Sequence, residues 1–163
     1  SPAPCHTSRM ASLFSSVIQF HNTLTAAGFP SATLPPAYEK PAPQVTAAGA
    51  QLRPPYVVYA LTALDDVLTF EDEGFESYTL TATAYATSQG DADTIISCLR
   101  FNGQSVATAG GFDNRSTLTN FTDGTLRSIL AKRPPTPGYS GIGNVSQRVH
   151  MSTMEWTVEV ERS

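Results

Sequence analysis

The sequence is poor in charge and has no long apolar run. Charged residues make up 15% of the 163 residues, whereas about 25% is usual in globular domains. A weakly charged surface opposes association less, which suits a protein whose surface is covered by partners. A mild compositional bias would give the same low charged fraction. The net charge is −4 and lysine or arginine runs are absent, which disfavours a dedicated nucleic-acid surface. Without 18 consecutive apolar residues, we expect no contact with a membrane.

Residues with metal or nucleophile chemistry are also few and poorly spaced for it. Neither cysteine belongs to a zinc-type or CxxC spacing, and the three histidines show no ligand spacing. These residues are Cys5, Cys98, His6, His21 and His150. We predict that Cys98 is a small buried residue of a helix and that each histidine is a surface residue or one with satisfied hydrogen bonds. The sequence therefore predicts no enzyme activity, no metal and no cofactor.

The acidic and glycine-rich segments are better explained as turns and loops than as metal-binding or phosphate-binding sites. The acidic clusters at 65–66 and 71–73 lack calcium-loop spacing and are typical of solvated turns. Gly110-Gly111 and the glycines of 138–143 do not match a phosphate-binding loop. No serine lies in a G-x-S-x-G elbow. Because these catalytic motifs are absent from the sequence, protein–protein contact is a better-supported prediction than catalysis.

Two amphipathic helices are predicted within one domain at 10–163, which follows an arm at 1–9. The first begins at Ser8 or Ser12 and ends near Ala27, with its apolar positions spaced as one helical face. The second begins at a cap on Ser88 or Asp91, buries 92, 95, 96 and 99, and ends at Asn102-Gly103.

Strands are predicted from period-two alternation. In Glu76 to Thr87, alanines and Leu80 share one face and threonines share the other. The segment Tyr56 to Leu61 is β-branched and aromatic, and a last strand runs from about Val145 to Glu161. Residues 125–132 fit a helix or a bulged strand, and the threonine-rich setting favours the strand. The predicted fold class is α+β, a mixed, mainly antiparallel sheet with two helices packed on one face.

Two proline-rich stretches, Pro30 to Pro55 and Pro134 to Asn144, are predicted as long irregular loops, the first with a short edge strand near 44–46. Long irregular segments often carry binding. We therefore expect partner contacts from residues on these two loops, namely Pro35, Tyr38, Pro134, Pro137, Tyr139 and Ile142.

Taken in order, the segments resemble the phage tail terminator (tail-completion) family. The resemblance lies in the N-terminal helix, the proline-rich link, Pro55-Tyr56-Val57-Val58-Tyr59, Phe70, the strand from Glu76 to Ala86, the helix from Asp91 to Leu99 and the strand containing Trp156. It covers most of 10–162. The long proline-rich link and the N-terminal arm depart from the family pattern.

The resemblance implies a structural virion protein that is assembled in the host cytoplasm. Such proteins form a ring, here expected to hold six copies, which caps the tail tube, ends tail polymerisation and joins the tail to the neck or head connector. DNA would pass through its lumen without specific binding. Candidate ring or lumen residues are Glu155, Glu159 and Glu161, together with the threonine face of 77–87. An acidic lumen would repel DNA phosphates.

Two other classes stay open from the sequence. One is a neck or head-completion adaptor or a tail-tube-like subunit, which would use the same kind of assembly surface. The other is a small-ligand binding module on an α+β scaffold. Oligomeric mass and imaging of rings distinguish these classes.

Overall fold

The computed structural model describes residues 6–24, 33–40, 49, 53–63, 75–102, 110–119, 121–122, 124–140 and 149–161. The described part contains two helices, α1 (His6–His21) and α2 (Gln89–Phe101). It also contains six strands: β1 (Ala37–Glu39), β2 (Tyr56–Ala63), β3 (Phe75–Ala86), β4 (Thr125–Ala131), β5 (Thr136–Ser140) and β6 (Val149–Glu161).

The six strands form one sheet in the order β1-β2-β3-β6-β4, with β5 also paired to β6. Only β1 runs parallel to its neighbour. In the central pair, Leu80 lies opposite Trp156 and Ala82 lies opposite Met154. The predicted α+β class with a mixed, mainly antiparallel sheet is confirmed.

The loop predicted for Pro134 to Asn144 is wrong over Thr136–Ser140, which form β5. This strand pairs with the first half of β6, and β4 pairs with the second half, so the two lie end to end along the same side. Pro137 lies opposite Ser152. Proline is tolerated here because β5 is an edge strand. The partner that makes this segment a strand is β6, which follows later in the chain.

Helix α2 forms where its cap and apolar stripe predict. The Ser88 side chain accepts a hydrogen bond from the Asp91 amide (3.2 Å), and Asn102 ends the helix in the left-handed conformation. The predicted stripe is buried, as is Cys98, which confirms both predictions; the stripe comprises Ala92, Ile95, Ile96 and Leu99. Small alanines on β3 let this helix approach the sheet closely.

Helix α1 covers the same side of the sheet. It begins at His6, within the predicted arm, and ends at His21 rather than near Ala27. The Thr23 hydroxyl donates to the carbonyl of Phe20 (2.7 Å), and the Thr23 amide bonds the same carbonyl, which tightens the final turn. Leu13 and Val17 are fully buried, as the helical period predicts.

His21 is buried at the end of α1 with both ring nitrogens hydrogen-bonded, one of the two outcomes predicted for it. Nε2 lies 2.8 Å from the carbonyl oxygen of Pro35, and Nδ1 lies 2.8 Å from the hydroxyl of Tyr59. A carbonyl only accepts, so Nε2 carries the proton and Nδ1 accepts from the tyrosine. Burial lowers the pKa of His21, opposed in part by the bond to Pro35, and raises the pKa of Tyr59 well above its usual value.

The described residues between α2 and β4 close the core. Phe112 is fully buried, and its ring centroid lies 5.1 Å from that of Trp156 and 4.8 Å from that of Phe20. The next residue, Asp113, accepts from the Trp156 indole (2.7 Å) and from Nε and Nη2 of Arg100 (3.0 and 2.8 Å). One buried carboxylate thus links α2 to the central strand β6.

Several predicted features fall outside the described residues. These are the edge strand near 44–46, the acidic turns at 65–66 and 71–73, and the start of the last strand at 145–148. Where it is described, the last strand begins at Val149.

Candidate assembly surface

The side of the sheet opposite the two helices carries the alternating polar residues. Register brings the threonine row of β3 beside the outward row of β6: Thr79 pairs with Thr157, Thr81 with Glu155 and Thr83 with Thr153. The hydroxyls of the last pair are 3.4 Å apart. The predicted threonine and glutamate faces are therefore one continuous surface, the open face, made of the outward residues of β2, β3 and β6: Tyr56, Val58, Ala60, Thr62, Thr79, Thr81, Thr83, Tyr85, Thr153, Glu155, Thr157, Glu159 and Glu161.

The open face is only partly exposed, although no described helix or strand covers it. The central threonines are half-buried by their own neighbours, and Val58 is buried. The opposite side of the same strands is fully buried from Tyr78 to Ala84. One side of the sheet thus contributes the core, and the other is left to solvent or to a partner.

One end of the open face is aromatic. The rings of Tyr56 and Tyr85 are stacked with centroids 4.8 Å apart, and Tyr38 meets Tyr56 edge-on at 6.3 Å. Beside these rings is a groove of about 390 Å³ with Val58 at its floor and Lys40 at its rim. Burial, and to a lesser extent Tyr85, raises the pKa of Tyr56. The period-two pattern marks Tyr56 and Tyr85 as outward residues, but their stacking depends on strand register.

The three predicted glutamates lie along β6 from the middle of the open face, where Glu155 is opposite Thr81, to the end away from the tyrosines, and two of them are paired. Nη2 of Arg133 lies 2.7 Å from Oε2 of Glu155, in an ion pair without hydrogen-bond alignment. Nη1 of Arg127 donates to Glu161 at 3.1 Å. Glu159 is exposed. These two arginines offset most of the charge, so the strip is less acidic than its sequence predicts.

The predicted partner-contact residues lie in different places. Pro35 is buried, and its carbonyl oxygen is hydrogen-bonded to His21. Tyr38 is half-buried on β1 at the aromatic end of the open face. Pro134 is exposed before β5, Pro137 and Tyr139 lie on β5, and Ile142 lies outside the described residues. These contacts stay predictions.

Within the described residues, no three histidine, cysteine, aspartate or glutamate side chains come together in a group that could hold a metal ion. In that same part of the chain, neither helix has the length and apolar character needed to cross a bilayer.

Comparison with known proteins finds similarity among solved structures. No protein-family model matches the chain, and no curated protein matches it. Among solved structures, the chain is similar to one titled "Virion of native gene transfer agent (GTA) particle", with a TM-score of 0.46 and 10% sequence identity, over 93% of this chain and 92% of that one.

Proposed function

We propose that this chain is a structural protein of a phage virion whose copies form a ring. The ring, of six copies, caps the tail tube, ends tail polymerisation and joins the tail to the neck or head connector. The order of sequence segments that resembles tail terminators supports this proposal, which assigns the chain no reaction and no cofactor.

The observation that carries the proposal is the one-sided burial of the sheet. Both described helices lie on one side, and the open face carries stacked tyrosines, threonines and paired charges. Such a mixture suits an interface between soluble subunits, whose core is aromatic and whose rim is polar. A purely apolar face would aggregate, whereas a uniformly charged one would repel a second copy.

The pairing of the glutamates changes the role proposed for them. Because Arg133 and Arg127 offset Glu155 and Glu161, the open face lacks the dense negative charge that would repel DNA. We therefore assign this face to contacts between protein subunits, and we leave the lumen to other residues.

The oligomeric mass of the purified protein tests the proposal. Native mass spectrometry and negative-stain imaging should show closed rings of six copies. Thr83→Arg places a long cation in the middle of the open face, between Val58 and Thr153, and should yield monomers because the charge would be buried on association. The matched control is Asn22→Arg, at an exposed position just after α1, which should keep the ring.

Three outcomes would count against the proposal. Rings that persist in Thr83→Arg, with circular dichroism showing an intact fold, would exclude the open face as the contact. A wild-type monomer at high concentration whose melting temperature rises with a small molecule would favour the ligand-binding class. If this protein is labelled in virus particles and lies anywhere other than the junction between tail tube and connector, the result would favour an adaptor or a tube subunit.

A further inference from the structure

The groove at the aromatic end of the open face, called here the tyrosine groove, is a concave site on strands β2 and β3. Its apolar and aromatic lining includes Tyr56, Val58, Ala60 and Tyr85, and Lys40 is the charged residue at its rim. Lys40 is exposed and makes no ion pair with a described residue. The groove therefore suits an apolar side chain that has an acidic neighbour.

Leu130 on β4 is an exposed apolar side chain on the same side of the sheet. It lies opposite Thr157, an outward residue of β6, so it extends the open face onto β4. Leu130 is 48% exposed, and no other large hydrophobic residue in the described part of the chain is exposed. A single exposed leucine is common in proteins, but this one stands on the face that also carries the tyrosine groove.

Leu130 cannot reach the tyrosine groove of its own chain. Strand β6 lies between β4 and β3, so Leu130 is about 10 Å from the nearest strand of the groove at the usual spacing of neighbouring strands. Side chains stand roughly perpendicular to a sheet, so Leu130 points away from the sheet and not across β6. A leucine that enters the groove must therefore come from another copy.

The charges beside Leu130 complement the charge of the groove. Glu159 lies opposite Ser128, two residues before Leu130 on β4. It is exposed and makes no ion pair in the described part of the chain. Lys132 is two residues beyond Leu130, on the other side of it along the strand. Glu159 can therefore approach Lys40 of a second copy while Lys132 lies away from it.

We propose that Leu130 of one copy occupies the tyrosine groove of the next copy, and that Glu159 of the first copy pairs with Lys40 of the second. This proposal rests on the proposed function, because it names the side chains by which copies in the ring meet. Leu130 and the groove are different surfaces of one chain, so each copy can contact two neighbours. Contacts of this head-to-tail kind generate a ring when the rotation between copies closes.

Sedimentation velocity over a range of protein concentrations measures the strength of this contact. Leu130→Ala should raise its dissociation constant about 10- to 100-fold, the value of burying one leucine side chain. Leu130→Met keeps an apolar side chain of similar volume and should change the dissociation constant little. Because Leu130 is exposed, neither substitution should alter the fold of the subunit, which circular dichroism checks.

Exchange of the two charges tests how the copies are oriented. Lys40→Glu and Glu159→Lys should each weaken the contact about twofold to fivefold. The double variant should recover the wild-type dissociation constant, because it restores the pair with the signs exchanged. The matched control is Asp93→Lys, which makes the same charge change on the exposed side of α2 and should leave the contact unchanged.

The outcomes distinguish this contact from the ring itself. Rings of six that are equally stable in Leu130→Ala, or that the double charge variant fails to restore, would overturn the contact and keep the proposed function. A wild-type dimer that Leu130→Ala weakens and the double charge variant restores would support the contact and refute the ring of six. A wild-type protein that stays monomeric at high concentration would refute both.

Discussion

At the scale of single residues, the buried polar groups show how the layers are joined. His21 connects α1 to Pro35 and Tyr59, and Asp113 connects α2 to Trp156. Each bond joins segments that are distant in the sequence. The helical period predicts that His21 lies on the buried stripe of α1, but it cannot name partners that only the folded chain brings within reach.

The pH dependence of stability should report on His21. In the folded state its pKa is lowered by burial, because the protonated ring would be a charge removed from water, and the bond to Pro35 opposes this in part. In the unfolded chain the same group protonates near 6.5. The unfolded state therefore binds more protons below this pH, so the free energy of unfolding is unaffected above about 6.5 and falls as the pH decreases towards the folded pKa.

His21→Gln isolates this contribution, since glutamine can donate to Pro35 and accept from Tyr59 without titrating. Urea unfolding is measured at about pH 7.5 and about pH 5.5 for both proteins. The wild type should lose more stability between the two conditions than the variant. An equal loss in both proteins would mean that His21 protonates as easily folded as unfolded.

At the scale of elements, local signals explain α2 and β3 but not β5. The cap, the helical stripe and the period-two alternation are properties of a short stretch of chain, and each predicted its element. Pro134, Pro135 and Pro137 indicate a loop by the same local reasoning. They lie in or beside a strand because β6 supplies a ladder at whose edge a proline is tolerated.

The contact that closes α2 depends on one glycine. The amide of Phe112 donates to the carbonyl of Leu99 (2.8 Å), which brings Gly111 against the helix end. A Cβ at Gly111 would lie 2.3 Å from that carbonyl oxygen, whereas one at Gly110 would meet nothing nearer than 3.7 Å. Gly111→Ala should therefore lower the free energy of unfolding by about 3 kcal/mol, because backbone must move and Phe112 with it.

Gly110→Ala is the matched control and should change stability little. Urea unfolding of both variants, followed by the fluorescence of Trp156, measures the difference. Similar midpoints for the two variants would show that the chain after α2 can move away without disturbing the core.

At the scale of the whole molecule, stability should be greatest in the two central strands. β3 and β6 have paired neighbours on both sides and are covered by helix α2 and the aromatic core. β1 has three residues and, among the described strands, pairs on one side only. Amide exchange measured by NMR should be slowest in β3 and β6 and faster by orders of magnitude in β1. Protection of β1 equal to that of β3 would contradict this order.

The sequence by itself determines the element types, the inward and outward residues of β3 and β6, and the α+β class. These follow from backbone geometry, because side chains alternate along a strand and recur every 3.6 residues along a helix. Only the tertiary structure decides which outward rows lie side by side, that Arg133 and Arg127 offset the glutamates, and that Tyr56 stacks on Tyr85. Such features depend on register and on contacts between distant segments, which no local pattern specifies.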